Sequence, residues 1–178
     1  MDKSYVILVD EYDQPCGPMD KIEAHRKGLL HRAFSIFIFN RHGEMLLQQR
    51  AKEKYHSGGL WTNACCSHPQ PGEPISEAAI RRLREELGFI TPLEKIFDFV
   101  YKTPVCNGLT EHEFDHVFAG EHNGDINFDP TEVNQICYRP VEIIKQDLAQ
   151  HPDKYTSWFR LAFPQVEDWW QKKYNQQT

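Results

Sequence analysis

Ser67-His68-Pro69-Gln70-Pro71-Gly72-Glu73-Pro74-Ile75-Ser76-Glu77-Ala78-Ala79-Ile80-Arg81-Arg82-Leu83-Arg84-Glu85-Glu86-Leu87-Gly88 reads as a turn-rich loop that runs into a helix. Ile75, Ala79, Leu83 and Leu87 recur every four residues and define one apolar face. Pro74 suits the first turn, and Gly88 suits the left-handed position just past the end. Arg81, Arg82, Arg84, Glu85 and Glu86 fill the rest of the surface. Read plainly, they are a solvated face with ion pairs. Read as chemistry, Glu85 and Glu86 are hard oxygen ligands for Mg²⁺ and a diphosphate.

The chain on either side is rich in strands. Tyr5–Val9 is apolar and β-branched, and it stops at the turn-forming run Asp13 to Pro18. Asp20 to Gly28 is polar and suggests no regular element. Ala33–Phe39 reads as a buried strand, the turn Asn40-Arg41-His42-Gly43 follows, and Glu44–Gln49 is expected to fold back as a hairpin. Arg50 to Gly59 is a polar, Gly-rich loop, and Leu60–Cys66 a short strand. Beyond the helix come strands at Ile96–Lys102, Glu113–Ala119 and Ile136–Arg139. Helices are predicted over Pro140–Gln150 and Thr156–Tyr174, the second kinked or broken at Pro164. The order predicts one α+β (mixed α/β) domain over residues 1–178, with helices flanking a mixed sheet.

With 178 residues, 40% of them hydrophobic, the chain can bury one core but not two. Lys+Arg is 20 against 26 Asp+Glu, a net charge of −6, which argues against nucleic acid as a partner. No apolar run is long enough to span a bilayer. The segment from Met1 to Asp10 is too short and too acidic for a signal peptide. Five Cys, with Cys65 and Cys66 adjacent, point to reduced thiols and a cytoplasmic protein. Lys21, Arg50, Lys52 and Lys54 make a basic patch in this acidic chain, as an anion site needs.

Nine His are the remaining compositional feature. His25, His31 and His68 are scattered, and each alone reads as filler or a turn residue. Glu111 and Glu113 share one face of a strand and could reach one ion, or form an ordinary exposed edge. Together these residues are a borderline donor set suited to Mn, Fe or Zn. A thiol near His68 could act as nucleophile, acid or base, and it could equally be a small buried hydrophobe.

The loop and helix resemble the Nudix box. Glu73, Arg81, Glu85, Glu86 and Gly88 match it, while Ser67 replaces its leading Gly and Arg82 replaces the Glu that follows its Arg. In the hydrolases that Glu is a metal ligand, so a cation in its place argues against diphosphate hydrolysis. A closer match comes from Leu30-His31-Arg32-Ala33-Phe34-Ser35, Trp61-Thr62-Asn63-Ala64-Cys65-Cys66-Ser67-His68-Pro69, Tyr101, Glu111-His112-Glu113 and Trp158, in that order. On these motifs the chain resembles the type I isopentenyl-diphosphate delta-isomerases over nearly its whole length.

The resemblance implies a Nudix-like fold and the interconversion of isopentenyl and dimethylallyl diphosphate in isoprenoid biosynthesis. It implies that Cys66 and Glu113, with Tyr101 beside Glu113, move protons on opposite faces of the allyl unit. Lys21, Arg50, Lys54 and Arg82 match diphosphate contacts, Trp158 the aromatic cover, and Trp61 a second lining residue. His25, His31, His68, Glu111 and Glu113 match a buried Mn²⁺ site, with Zn²⁺ an alternative. Glu86 and the Cys66 backbone carbonyl match a Mg²⁺ site. Two other readings stand beside it. One is a Nudix hydrolase of nucleoside or coenzyme diphosphates; the other is a non-catalytic metal-binding module on the same fold.

Overall fold

The computed structural model describes residues 4–174. Met1 to Lys3, the start of the segment read for a targeting signal, and residues 175–178 of the expected domain lie outside them. Nine strands and four helices follow the order β1 (Tyr5–Val9), β2 (Pro15–Asp20), α1 (Lys21–Lys27), β3 (His31–Phe39), β4 (Met45–Arg50), β5 (Trp61–Thr62), β6 (Cys65–Ser67), α2 (Ile75–Leu87), β7 (Glu94–Pro104), β8 (Thr110–Glu121), β9 (Val133–Arg139), α3 (Val141–Gln150) and α4 (Ser157–Tyr174). Among the described residues no helix is long and apolar enough to cross a membrane.

β3 is the hub of the mixed sheet. It runs parallel to β8, from His31 beside Glu113 to Phe39 beside Glu121. It also pairs antiparallel with β6, which sets Ser35 beside Cys66. Its residues alternate between two cores. Phe34, Ile36 and Ile38 pack with Leu83 and Leu87 of α2, while Phe37 and Phe39 pack with Phe159 and Phe163 of α4. A strand buried on both faces needs a continuous apolar run, which Ala33–Phe39 supplies.

Five local expectations change. The single strand expected over Leu60–Cys66 is two, β5 pairing with β4 and β6 with β3. The β3–β4 hairpin closes only at Phe39–Met45, because β6 takes the same edge of β3 from Phe34 to Ile36 while β4 pairs along its length with β9. Part of the turn-rich run is a strand, β2, paired with β1. The polar stretch after it is α1, whose first turn is capped by the Asp20 carboxylate accepting the Glu23 N–H at 3.0 Å. Helix α4 runs unbroken through Pro164. Pro164 lies on the exposed face, so water can satisfy the carbonyl that its missing N–H frees.

Candidate active site

Sheet register assembles the first part of the site. Parallel pairing puts His31 beside Glu113, and antiparallel β7–β8 pairing puts Tyr101 on Glu113's other side. The Tyr101 hydroxyl lies 2.7 Å from Glu113 Oε2 and 3.2 Å from Glu111 Oε2. Helix α1 adds His25, and the loop after β6 adds His68. The His25 Nδ1–H donates to the Lys21 carbonyl at 2.7 Å, and the His31 Nδ1–H to the Leu29 carbonyl at 2.9 Å. Both rings therefore turn an Nε2 lone pair inward, and neither Nε2 has a hydrogen-bond partner. His68 Nε2 and His31 Nε2 stand 3.0 and 3.4 Å from Glu113 Oε1.

Donor atoms of His25, His31, His68 and Glu113 all fall within 4.8 Å of one another, and those of His25, His56 and Glu111 form an adjoining group. Inward lone pairs beside carboxylates repel unless a cation lies among them. Imidazole nitrogen plus carboxylate oxygen is a donor set that fits a divalent transition metal. In the metal-free chain burial pushes His68 down to about 4 and His56 down to about 3. Burial and the neighbouring Glu113 push Glu111 well up.

Beside this cluster a cavity of about 90 Å³ is bounded by Cys66, Tyr101, Glu113 and Trp158 and by the cations Lys21, Arg50, Lys54 and Arg82. The cations meet carboxylates at its rim. Lys54 is paired with Glu132, and Arg82 lies 2.6 Å from Glu86, 2.5 Å from Glu85 and 3.5 Å from Glu132. Gln48 Nε2 donates to the other Glu86 oxygen at 3.3 Å. Burial and the charge of Lys54 push the Lys21 ammonium pKa down. A polyanion entering here would meet four cations in a partly desolvated pocket.

Cys66 is held on three sides. The Trp158 Nε1–H donates to Sγ at 3.0 Å, and the thiol donates to Asn63 Oδ1 at 3.1 Å. Asn63 cannot flip, because its Nδ2 donates to the Ile36 and Cys65 carbonyls at 2.9 and 3.0 Å. The Ser35 hydroxyl donates to Asp115 Oδ2 at 2.7 Å and lies 3.5 Å from Sγ. Burial, then the nearby Asp115 carboxyl, push the Cys66 thiol far up, so it stays protonated at neutral pH. Cys65 packs into the α2-side core.

Not every sequence-read residue reaches this cavity. Trp61 lies against a separate hollow with Leu47, Arg139 and Tyr155. Strand alternation explains this. The neighbouring Thr62 turns inward to bond Asn63 and Thr156, which sends Trp61 the other way. Lys52 is exposed and does not line the cavity. Glu111 does line the cavity, but it groups with His25 and His56 rather than with His31 and His68, His56 Nε2 lying 3.2 Å from its Oε1. Sequence reasoning left His56, Asn63, Ser35 and Asp115 without roles. For His56 the available signal was an imidazole in the same loop as the cation Lys54.

Residues 29–159 match the family model of the NUDIX domain. The chain is 47% identical over 173 residues to "Isopentenyl-diphosphate Delta-isomerase" of Pectobacterium atrosepticum, covering 97% of each chain. It is 48% identical over 161 residues to "Isopentenyl-diphosphate Delta-isomerase 2" of Aromatoleum aromaticum, covering 90% of this chain and 85% of that one. Among solved structures, DR0079 from Deinococcus radiodurans superposes with a TM-score of 0.70 at 19% identity, over 83% of this chain and 90% of that one. The MutT protein from Methanosarcina mazei does so with a TM-score of 0.64 at 19% identity, over 78% and 94%.

Proposed function

The chain belongs to the type I isopentenyl-diphosphate delta-isomerases of the Nudix superfamily and interconverts isopentenyl and dimethylallyl diphosphate; we propose that Cys66 and Glu113 carry its two proton transfers. One of the pair gives a proton to the terminal alkene carbon, which leaves a tertiary cation at the branched carbon. The other removes a proton from the carbon nearer the diphosphate, and the double bond re-forms one position along. The two steps conserve protons, so the enzyme ends the cycle with one proton moved between the pair. Exchange with solvent returns it.

The observation that carries this reading is the placing of the Cys66 thiol and the Glu113 carboxylate in one enclosed cavity. Cys66 shares one cavity with Glu113 and is fixed by Trp158 and Asn63. Tyr101 steadies Glu113 from the side. The Trp158 ring, 4% exposed, helps exclude water that would trap the cation, and an aromatic quadrupole favours positive charge nearby. Lys21, Arg50, Lys54 and Arg82 bind the diphosphate, with Glu86 and the Cys66 carbonyl as the site for Mg²⁺. His25, His31, His68, Glu111 and Glu113 hold a second divalent ion, Mn²⁺ or Zn²⁺. When bound, that ion would fix the orientation of Glu113 and tune its acidity. We place the enzyme in the cytoplasm, on the strength of five free cysteines with exposed Cys16 and Cys106 among them.

The test is turnover of isopentenyl diphosphate in D₂O followed by NMR. Deuterium should enter the dimethylallyl product, and Cys66→Ala and Glu113→Gln should each lose at least about 100-fold in kcat. Full turnover by Cys66→Ala, or product free of deuterium, would remove the assignment. Phosphate release without a double-bond shift would favour the hydrolase reading instead.

A further inference from the structure

Outside the ligand set drawn from the family motifs, one buried imidazole joins the adjoining donor group that shares His25 with the cluster of His31, His68 and Glu113. We propose that His56 is a further ligand of the buried divalent ion, joined to it through the side of the cluster formed by His25 and Glu111. The inference rests on the reading that the His25, His31, His68 and Glu113 cluster holds a metal.

Three imidazole Nε2 atoms are buried without a hydrogen-bond partner, those of His25, His31 and His56. The first two have their Nδ1 committed to a backbone carbonyl. His56 Nδ1 lies 3.1 Å from the Ser57 hydroxyl, which can accept its proton and leave Nε2 free to bind. The residue is only 2% exposed, so no bulk water serves the free nitrogen. His56 Nε2 is 3.2 Å from Glu111 Oε1 yet not aligned to hydrogen bond with it, and the His31–Glu113 pair at 3.4 Å is the same. Atoms that are close but not aimed at each other can be aimed at a common third point. With metal–ligand bonds of about 2.1 Å, ligand atoms lie about 3.0 Å apart at right angles and about 3.4 Å apart tetrahedrally. The 3.0, 3.2 and 3.4 Å spacings to Glu113 and Glu111 all fall within that range.

The consequence reaches the anion pocket. His56 lies on the loop that carries Lys54, and the Arg50 guanidinium donates to the His56 carbonyl at 3.2 Å. A fourth imidazole also makes the donor set richer in nitrogen, favouring a transition metal over Mg²⁺.

The experiment strips the purified enzyme with a chelator and titrates it with Co²⁺, read by its visible spectrum, and with Zn²⁺ against a chromophoric competitor. Wild type, His56→Ala, His56→Gln and His31→Ala are compared, each checked for fold by circular dichroism. The expected result is a loss of about 10–100-fold in Zn²⁺ affinity and an altered Co²⁺ spectrum in both His56 variants. Should His56→Ala fail to fold, the Gln variant decides. Wild-type affinity and spectrum in a folded His56 variant, with metal lost in His31→Ala, would overturn the role of His56 alone. Unchanged metal binding in every variant would overturn the metal reading as a whole.

Discussion

His68 gives the metal-free protein an acid sensitivity that can be worked out in advance. Burial pushes its pKa from 6.5 down to about 4, and the side chain is 14% exposed. The unfolded chain therefore binds more protons than the folded one between those two values, and stability falls as pH falls through that window. At pH 7 an unfolded His is only about 24% protonated and the folded one essentially neutral, a difference worth about 0.2 kcal/mol. At pH 5 an unfolded His is about 97% protonated and the folded one about 9%, a difference worth about 2 kcal/mol. The raised Glu111 and Asp115 titrate with the opposite sign, since their folded forms hold protons longer. A direct comparison of pH values would mix the two effects. The measurement is the difference between wild type and His68→Gln, which keeps Glu111 and Asp115 in both proteins and removes His68 together with its hold on Glu113. Urea unfolding in EDTA, followed by tryptophan fluorescence, should show the variant gaining about 2 kcal/mol on wild type between pH 7 and pH 5. At a slope of about 2 kcal/mol/M this moves the relative midpoint by about 1 M. Parallel pH dependence of the two proteins would mean that His68 is not held neutral by burial, and its place in a desolvated donor cluster would be refuted.

Three further outcomes follow from single contacts. Gly88→Ala places a Cβ 2.5 Å from the Asn127 carbonyl oxygen at φ +75°, so Tm should fall by at least about 4 °C, from about 2 kcal/mol of strain and displacement; differential scanning calorimetry showing no loss would exclude that close approach. Iodoacetamide at neutral pH should label the exposed Cys16 and Cys106 before Cys66, whose thiol is held protonated by burial. Peptide mapping that finds Cys66 modified first would sink the protonated-thiol reading. Trp158→Phe keeps a ring but removes the 3.0 Å N–H···Sγ bond, so kcat should drop about tenfold with KM little changed. Trp158→Leu, lacking the quadrupole as well, should drop further; equal kcat in Phe and wild type would leave the indole N–H without a role.

What could be read from the sequence was the local part of the fold. The four-residue apolar spacing of α2, its Gly88 end and the two-sided burial of β3 are properties of short windows, and they appear as read. Helix α1 escaped because it is seven residues long and buries only Ala24 and His25. Its one local signal was Asp20 three residues before Glu23. The β3–β4 hairpin was over-read because a turn between two apolar runs says nothing about a competitor for the same edge, and β6 takes that edge. The same non-locality governs the site. His31 and Glu113 are neighbours only through parallel pairing, which no sequence spacing reports, so the family motifs rather than periodicity pointed to them. His56 belongs to neither source. It sits in a loop, where only the fold reveals that its free nitrogen faces the cluster.

Arg82 explains how a Nudix frame turns from hydrolysis to isomerisation. A hydrolytic site needs carboxylates free to bind metal and activate water beside the diphosphate. Here the position after Arg81 is a guanidinium, and it binds Glu85, Glu86 and, at 3.5 Å, Glu132. The helix carboxylates thus lose a partner ligand and are partly neutralised from within, while the pocket gains a cation suited to hold a diphosphate rather than cut it. In the proposed mechanism the proton transfers fall instead to two other residues of the same cavity. Cys66 and Glu113 come from β6 and β8, two strands that both pair with β3. Restoring a carboxylate by Arg82→Glu should therefore not recover a hydrolase. It should weaken diphosphate binding, raising KM by at least about tenfold, because one charge-assisted contact of about 1.5–3 kcal/mol is lost and a repulsion is added. Steady-state kinetics with a phosphate-release assay alongside would decide it, and efficient diphosphate cleavage by the variant would show that Arg82 alone had held the older chemistry in check.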